Sequence, residues 1–568
     1  MKTILASIIT LFIFLSGVAQ PVEIEIKIGK SLDSLTAAVA CAHPEAARIG
    51  AEILSVGGNA VDAAIAMQWA LAVCYPQAGN IGGGGFMVLR LADGTTNTLD
   101  FRESAPAGAT ETMYQDANGE IIKGKSLYTH QAVGVPGSVS GLYESHRKYG
   151  KLPMEMLIAP AIKLAESGFR ITAIQAGLLN KYKADFKDRN RTQIPFLHRN
   201  KDWKEADLIV QANLAETLKR ISKNGEKEFY TGRTAHLIIE EMKAGGGIIT
   251  LEDLANYKPI WRKPIVSDFG NYKLILMPPP SSGGIAIAQL LHMWEAAQTT
   301  DMAHNSVEYI HLISEMERRV YADRSVHLGD PDFHEVPIDN LLSKNYLKAR
   351  IADFDSLRAT PSEDVKAGNF SIKFESTETT HLSVVDAEGN AVSVTTTLND
   401  HYGSKIMVAG AGFFLNNEMD DFSSKPGTPN LFGLVGGKAN SIEPNKRMLS
   451  SMSPTIVEKD GELFLVVGSP GGSTIITSVF QTIMNTAVFE MNLKDAIAAP
   501  KFHAQWLPDA IFLEENRFAT DQIDSLKALG HKIDYYPSLG RVDAILVNPD
   551  KTLQGCGDPR ADNHAAGY

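Results

Sequence analysis

Residues 377–385, with the sequence TETTHLSVV, form the stretch that decides the fold. Their β-branched content predicts a strand that begins near Thr379, and the turn-rich residues 386–390 separate it from a similar run at 391–397. Two such runs joined by a short turn are typical of an antiparallel hairpin. The sequence therefore predicts a hairpin where its composition changes from helix-forming to strand-forming.

The register of this hairpin decides which side chains face each other. If Val385 pairs with Ala391, Thr379 lies opposite Thr397, with Cβ atoms about 5 Å apart. A slip of one residue would turn Thr397 to the other face of the sheet. Two facing threonines are usually only a cross-strand packing pair, so their pairing alone does not make Thr379 a candidate catalytic residue.

Thr379 lies directly after a polar segment. Residues 353–377 are polar and charged, which predicts an exposed linker where cleavage of the Glu378–Thr379 bond would be tolerated. A threonine hydroxyl is a poor nucleophile, but a terminal threonine carries a base in its own α-amine, which titrates at about 7.7–8.0 in model compounds. Cleavage would therefore create a nucleophile. His381 shares this strand face, and we interpret it as a hydrogen-bonded structural histidine.

Hydrophobic periodicity on the two sides of the linker predicts an α/β protein in which sheets pack together and helices flank them. The four glycines at 82–85 lack the Lys-Ser or Lys-Thr of a phosphate loop, so they indicate tight backbone packing before a strand at 86–91. The predicted helices are 45–56, 60–73 (with Asn59 as its cap), 154–167, 214–223, 285–296 and 306–321, and the later predicted strands are 455–458, 463–467 and 544–547.

Charge and cysteine content exclude several classes of protein. The 568 residues carry a formal net charge of -12 at pH 7, which lacks the basic surface that nucleic-acid binding requires, so we expect no such partner. The three cysteines are too few for a disulfide framework, and whether Cys41 and Cys74 are bonded stays open. We find no zinc motif and expect no metal or cofactor.

The N-terminus has the pattern of a secretion signal. Lys2 precedes an apolar run at 3–15, and small residues at Gly17 and Ala19 fit cleavage before Gln20. No later stretch reaches the roughly 20 apolar residues of a membrane-spanning helix. We therefore predict a signal peptide at 1–19 and a mature protein that is periplasmic or secreted.

Specific motifs extend over nearly the whole mature chain. They are QAGN at 77–80, DFRE at 100–103, PPPSSGG at 278–284, TTHLSVVD at 379–386, NNEMDDF at 416–422, LSSMSPT at 449–455 and GSPGGS at 468–473. With these motifs the chain resembles the gamma-glutamyltransferase (glutathione hydrolase) family of N-terminal-nucleophile hydrolases. The resemblance implies a four-layer αββα sandwich, formed jointly by a large subunit (20–378) and a small subunit (379–568) after self-cleavage before Thr379.

The resemblance also assigns roles to individual residues. A γ-glutamyl donor presents a zwitterionic head, which needs a cation for its carboxylate and anions for its ammonium group. The implied catalytic residues are Thr379 and Thr397, with Gly471 and Gly472 as the oxyanion site, and the implied substrate-binding residues are Arg102, Asn399, Glu418, Asp421, Ser450 and Ser451. The uncharged segment 426–437 is interpreted as a lid. Phe432 stands in it where some members have tyrosine, so a hydroxyl contact to Asn399 would be lost.

The resemblance implies an enzyme that cleaves glutathione and other γ-glutamyl compounds through a γ-glutamyl-threonine ester. Water, an amino acid or a dipeptide acceptor would resolve that ester. Two alternatives remain: a cephalosporin or glutaryl acylase, which Asp421 disfavours because a glutaryl chain has no ammonium group, and an unprocessed secreted binding protein.

Overall fold

The structure is a computed structural model that describes residues 24–198, 200–297, 302–367, 379–423, 425 and 438–568. The predicted signal peptide, Glu378 and the predicted lid with Phe432 lie outside the described residues. The fold is mixed α/β, as predicted, with strands on both sides of the hairpin that opens at Thr379.

Strands and helices are interspersed along the described part of the chain. The strands are β1 (Lys27–Gly29), β2 (Ser31–Leu35), β3 (Ala38–Cys41), β4 (Gly84–Arg90), β5 (Thr96–Asp100), β6 (Phe169–Arg170), β7 (Leu208–Ile209), β8 (Ile260–Arg262), β9 (Ile265–Phe269), β10 (Tyr272–Leu276), β11 (Thr379–Val385), β12 (Ala391–Thr397), β13 (Thr455–Lys459), β14 (Glu462–Gly468), β15 (Phe502–Ala504), β16 (Ile511–Glu514), β17 (Ile533–Tyr536), β18 (Asp543–Val547), β19 (Leu553–Gly557) and β20 (His564–Gly567). The α-helices are α1 (Pro44–Ser55), α2 (Ala60–Cys74), α3 (Lys125–Tyr128), α4 (Ser138–Tyr149), α5 (Met154–Ser167), α6 (Ala173–Lys181), α7 (Lys183–Arg189), α8 (Ala212–Asn224), α9 (Lys227–Tyr230), α10 (Arg233–Gly245), α11 (Leu251–Asn256), α12 (Gly283–Ala296), α13 (Val307–His327), α14 (Ile338–Leu341), α15 (Lys344–Arg350), α16 (Ser473–Ala487), α17 (Leu493–Ala498) and α18 (Thr520–Ala528).

Two large sheets contain most of the strands. An 8-stranded sheet has the order β1-β20-β3-β11-β12-β4-β5-β8, and a 7-stranded sheet has the order β2-β19-β18-β14-β13-β10-β9. The predicted hairpin is confirmed in its register, because Val385 pairs with Ala391 and Thr379 pairs with Thr397. The hairpin strands β11 and β12 are central in their sheet, so they carry Thr379 into the interior of the protein.

The two sheets and the helices pack into a continuous interior. Strand β11 contacts β14 and β18 of the other sheet, and β12 also contacts β14. Helices α1 and α2 pack on the first sheet, whereas α12, α16 and α17 pack on the second. Asn59 caps α2 as predicted, because its side chain accepts from the Asp62 N–H at 2.9 Å. Within the described residues, no helix is both long and apolar enough to cross a membrane.

The prediction of an exposed linker is confirmed only in part for residues 353–367, which the structure describes: Leu357 is 80% exposed, whereas Ser362 is 1% exposed. The Ser362 N–H donates to Asp509 Oδ2 (3.1 Å) and the Trp506 indole donates to the Ser362 carbonyl (2.8 Å). The Ala359 N–H donates to the Leu529 carbonyl at 2.7 Å. For the buried residues the polar composition was misleading, because these groups find partners on the strand-rich part instead of solvent. The three cysteines are free thiols, which answers the question left open for Cys41 and Cys74.

Candidate active site

The two facing threonines lie in the interior against a glycine-rich strand. Thr379 is 3% exposed and Thr397 is 2% exposed. Thr397 pairs with Gly84 on the other side, and a Cβ atom on Gly84 would lie 2.6 Å from Glu103 Oε2. The glycine run is therefore required for close packing, as predicted, and it brings the Glu103 carboxylate next to the strand pair that contains both threonines.

A short series of hydrogen bonds connects Thr397 with the acidic motif at 416–422. The Asn399 N–H donates to Thr397 Oγ1 (2.7 Å), and the Asn399 side-chain amide donates to the Asn417 carbonyl (3.0 Å). Asn399 has a φ of 74°, a left-handed conformation that asparagine tolerates better than most residues. Glu418 follows Asn417 directly, so the end of β12 positions the 3-10 helix Glu418–Asp421 beside the threonine pair.

The predicted cation, Arg102, contacts both predicted anions, Glu418 and Asp421. The Arg102 guanidinium donates to a carboxylate oxygen of Glu418 and to one of Asp421, and it lies 3.5 Å from Glu103 Oε2. Arg102 is 1% exposed and Glu103 is fully buried. Three carboxylates thus surround one guanidinium in an interior where unpaired charge is costly.

Burial raises the pKa of two carboxyl groups in this cluster. Burial raises the pKa of Glu103 to about 7, against the opposing effect of the Arg102 guanidinium. Burial also raises the pKa of Glu418 well above its usual range, and the neighbouring Glu103 carboxylate adds to that effect. The cluster therefore retains protons at a pH where exposed carboxylates have lost theirs, and an added cationic group would favour their release.

The two predicted serines directly follow a segment whose carbonyl groups accept hydrogen bonds from the Arg102 guanidinium. Arg102 donates to the Met448 carbonyl (3.3 Å) and the Leu449 carbonyl (3.2 Å), which directly precede Ser450. Ser450 Oγ accepts from the Met452 N–H at 3.2 Å, and Ser451 Oγ accepts from the buried guanidinium of Arg324 at 3.1 Å. The structure therefore brings the Arg102 guanidinium to the backbone of the segment that carries Ser450 and Ser451.

The two predicted oxyanion glycines lie in a turn between β14 and α16. Gly471 and Gly472 have φ values of 129° and 60°, which only glycine adopts readily, and α16 begins at the next residue. A Cβ atom on Gly468 would lie 2.3 Å from the His381 ring, so His381 packs β11 against the end of β14. His381 is buried and bonds Thr395 Oγ1 (2.9 Å) and Ser383 Oγ (3.1 Å), and burial lowers its pKa to about 3. It matches the predicted structural histidine.

Sequence reasoning missed two residues that organise this site. The Asn440 amide donates to the Asp421 carbonyl (2.6 Å) and accepts from the Leu449 N–H (2.9 Å), so it joins the acidic 3-10 helix to the segment that contacts Arg102. Arg324 donates to Ser282 Oγ (2.9 Å) as well as to Ser451. No local pattern marks either residue, because their partners are distant in sequence.

A cluster of possible metal ligands lies away from this site. His311, Glu315 and His531 place one ligand atom each within 4.8 Å of one another. Both Glu315 carboxylate oxygens contact guanidinium groups, one of Arg318 and one of Arg319. Two adjacent positive charges oppose the binding of a further cation, so this arrangement is better suited to an ion-pair network.

Comparison with known proteins places this site in a family. The family model described as Gamma-glutamyltranspeptidase matches residues 46–568. The chain is 46% identical over 532 residues to a glutathione hydrolase proenzyme of Escherichia coli (strain K12), covering 93% of this chain and 91% of the relative. The crystal structure of cephalosporin acylase from Bacillus halodurans superimposes with a TM-score of 0.83 at 26% identity, covering 98% of this chain and 99% of that chain. A chain of Helicobacter pylori gamma-glutamyltranspeptidase superimposes with a TM-score of 0.56 at 45% identity, covering 57% of this chain and 94% of that chain.

The chain belongs to the gamma-glutamyltranspeptidase family. The resemblance predicted from the motifs is confirmed, and so is the prediction of an enzyme, a gamma-glutamyltransferase and glutathione hydrolase. The roles of the individual site residues stay predictions.

Proposed function

We propose that the protein is an exported enzyme that cleaves itself before Thr379 and then cleaves γ-glutamyl amide bonds with the threonine it has released. The observation that carries this proposal is the buried cluster of Arg102 with Glu418 and Asp421, connected to Thr397 through Asn399. A guanidinium and carboxylates in one enclosed site match both charges of an amino-acid head group.

Substrate binding would exchange the partners within this cluster. The α-carboxylate of a γ-glutamyl donor would take the Arg102 guanidinium, with Ser450 and Ser451 as further donors. The α-ammonium group would then take Glu418, Asp421 and the side-chain carbonyl of Asn399 in place of Arg102. Because every charge stays paired through this exchange, the head group can enter without leaving a buried charge alone.

Thr379 would act twice by the same chemistry. In the precursor, its Oγ attacks the Glu378 carbonyl, and water then opens the resulting ester to free the α-amine. In the mature enzyme, that amine takes the Oγ proton as Oγ attacks the γ-carbonyl of the donor, and it returns the proton to the leaving amine. The backbone N–H groups of Gly471 and Gly472 would stabilise the oxyanion, aided by the N-terminus of α16. Water or an acceptor amine then resolves the γ-glutamyl ester.

We also propose the layered architecture, the processing and the cellular location of the enzyme. The packing of β11 and β12 on β14, with helices against both sheets, supports a four-layer αββα sandwich shared by subunits 20–378 and 379–568. The Escherichia coli relative is a glutathione hydrolase proenzyme, which supports processing. The signal pattern at 1–19 supports export to the periplasm or medium, which cell fractionation and a mature N-terminus at Gln20 would test.

The decisive experiment compares two anilides that differ in one group. A γ-glutamyl anilide carries the α-ammonium group and a glutaryl anilide does not. We expect turnover of the γ-glutamyl compound, with a further increase in rate when a dipeptide acceptor is added, and turnover of the glutaryl compound lower by at least about 100-fold. Preference for the glutaryl compound would establish an acylase instead, and no turnover of either would support a binding protein.

Thr397 offers a test of the facing pair. We expect Thr397→Val, which keeps the β-branched shape but loses the hydroxyl, to slow both maturation and turnover about tenfold or more, because the Asn399 N–H loses its acceptor at the site. Thr397→Ser keeps the hydroxyl and serves as the matched control. Equal rates for wild type and the valine variant in both assays would remove Thr397 from the catalytic set.

Glu103 gives the site a predicted pH dependence. Its carboxyl, with a pKa of about 7, is protonated below and ionised above that pH. The ionised form attracts the donor ammonium group, so we expect KM for a γ-glutamyl anilide to fall about tenfold between pH 6 and pH 8. Glu103→Gln should flatten this KM profile while kcat still rises with pH through the Thr379 amine. The exposed Glu240→Gln is the control. A KM profile in Glu103→Gln that matches wild type would show that the Glu103 carboxyl does not set the pH dependence of KM.

A further inference from the structure

The loop that follows β12, residues 399–405, has a strained backbone. Asn399, Tyr402 and Lys405 have φ values of 74°, 61° and 62°. Three non-glycine residues in the left-handed region of one short loop are costly, and such a backbone persists only where its surroundings fix it. The loop begins with Asn399, a proposed contact of the donor ammonium group. The contacts that fix this loop therefore also fix that part of the site.

The Lys405 side chain joins the end of this loop to its beginning. It is 1% exposed, and its ammonium group donates to an Asp400 carboxylate oxygen and to the Gly403 carbonyl (2.9 Å). The Lys405 Nζ atom also lies over the rings of Tyr128 and Tyr182, at 5.2 and 5.3 Å from their centroids. Burial lowers the pKa of Lys405, and the Asp400 carboxylate opposes that effect. Because an unpaired charge is costly in this interior, the ammonium group and the carboxylate hold each other in place.

Asp400 connects Lys405 with the acidic motif of the site. The Asp400 N–H donates to the Asn417 side-chain oxygen (3.2 Å), and the side-chain amide of the preceding residue, Asn399, donates to the Asn417 carbonyl (3.0 Å). Asn417 directly precedes Glu418, a proposed partner of the same donor ammonium group. The position of Asp400 therefore affects how Asn399 lies relative to Glu418.

The backbone of residue 405 is held independently of its side chain. The Asn190 side-chain amide donates to the Lys405 carbonyl (2.8 Å), and the Asn190 side-chain oxygen accepts from the Met407 N–H (2.8 Å). Asn190 follows α7 directly, so this end of the loop is fixed to the helical part of the fold. A substitution of the Lys405 side chain thus removes the link to Asp400 and leaves this backbone attachment intact.

We propose that Lys405 is a positioning residue for the donor ammonium group and acts through Asp400 on Asn399. This inference rests on the proposed function. In this role Lys405 does not contact the donor. Its ammonium group holds Asp400, and Asp400 holds the start of the loop so that the Asn399 side-chain carbonyl is in place when the ammonium group arrives. Without the charge on Lys405, Asn399 occupies that position for less of the time and the donor binds more weakly.

Lys405→Met tests this role, because methionine keeps an unbranched side chain but carries no charge. We expect KM for a γ-glutamyl anilide to rise about tenfold, while kcat of the matured enzyme changes by less than about threefold. KM does not depend on how much of a preparation is folded, so a purely structural defect would lower the yield of active enzyme without raising KM. Lys181→Met is the matched control and should keep the wild-type KM, since Lys181 is exposed and its Nζ atom lies 5.2 Å from the centroid of the same Tyr182 ring.

A double-variant cycle shows whether Lys405 acts through Asn399. Asn399→Gly removes the side chain, and glycine adopts a φ of 74° without strain. In this background we expect Lys405→Met to change KM by less than about twofold, because the contact that Lys405 positions is already absent. A further rise of about tenfold would show that Lys405 acts independently of Asn399, which overturns the proposal.

Asp400→Asn keeps the proposal testable if Lys405→Met does not mature. Asparagine has the size of aspartate and retains an oxygen that can accept from Lys405, so the loop keeps its packing while the ion pair is lost. We expect KM to rise about threefold in this variant, and not to rise further when Asp400→Asn is combined with Asn399→Gly. A wild-type KM in Asp400→Asn overturns the proposal, whatever happens to Lys405→Met.

The outcomes separate this inference from the proposed function. Wild type that turns over the γ-glutamyl anilide, with an unchanged KM in Lys405→Met, overturns the positioning role of Lys405 alone. Wild type that does not turn over the anilide overturns the proposed function, and the role of Lys405 with it.

Discussion

Thr379→Ala is expected to remain a single full-length chain and to lose γ-glutamyl turnover by at least about 10⁴-fold. The alanine variant has no hydroxyl to attack the Glu378 carbonyl, so the α-amine that serves as the base is never released. A denaturing gel reads the cleavage, and a chromogenic γ-glutamyl anilide reads the turnover. The loss of both together is the signature of one hydroxyl with two roles.

Thr379→Ser is the matched control for this prediction. Serine keeps the hydroxyl and, after cleavage, the α-amine, so the variant is expected to mature and to retain measurable activity. The buried position of residue 379, at 3% exposure, accommodates the smaller side chain at a modest cost in packing. Maturation and activity in Thr379→Ala would refute the nucleophile, whatever the serine variant does.

Arg102→Gln is expected to have the largest effect on substrate recognition and stability together. The guanidinium contacts Glu418 and Asp421 in the structure, and removing one partner of a buried ion pair destabilises a protein by about 3–5 kcal/mol. It is also the proposed partner of the donor carboxylate, so kcat/KM should fall by about 10²–10³-fold. Urea unfolding measures the first effect, and steady-state kinetics on the matured fraction measures the second.

A double variant separates stability from recognition at Arg102. Arg102→Gln with Glu418→Gln removes one uncompensated carboxylate, so it should recover part of the lost free energy of unfolding but none of the lost kcat/KM. The exposed Arg233, which pairs with Glu240 at the surface, provides Arg233→Gln as the control, with little effect on either measurement. Wild-type stability and KM in Arg102→Gln would contradict the proposed role of this cluster.

The local pattern of the sequence was sufficient to predict the central hairpin. β-branched residues on both sides of a five-residue turn fixed β11 and β12, and pairing Val385 with Ala391 placed Thr379 opposite Thr397. Helix α5 was predicted at its observed bounds, Met154–Ser167, because its apolar residues follow helical spacing without interruption. Helix α13 extends to His327, beyond the predicted end at 321, because its later charged residues are buried and paired with distant side chains.

The parts of the site that depend on long-range contacts were beyond local sequence reasoning. The ion pairs of Arg102 with Glu418 and Asp421 join residues more than 300 positions apart, which no local pattern reveals. Asn440 links Asp421 to Leu449 through an amide that no pattern distinguishes. The docked segment around Ser362 was predicted as exposed because its partners, Asp509 and Trp506, lie far along the chain.

The intact mass of the purified, active protein tests the central claim most directly. We expect two polypeptides, the smaller of which begins with Thr379 and carries a free α-amine, in a preparation that turns over a γ-glutamyl anilide. A fully active preparation in which the bond between residues 378 and 379 is unbroken would contradict the proposed mechanism.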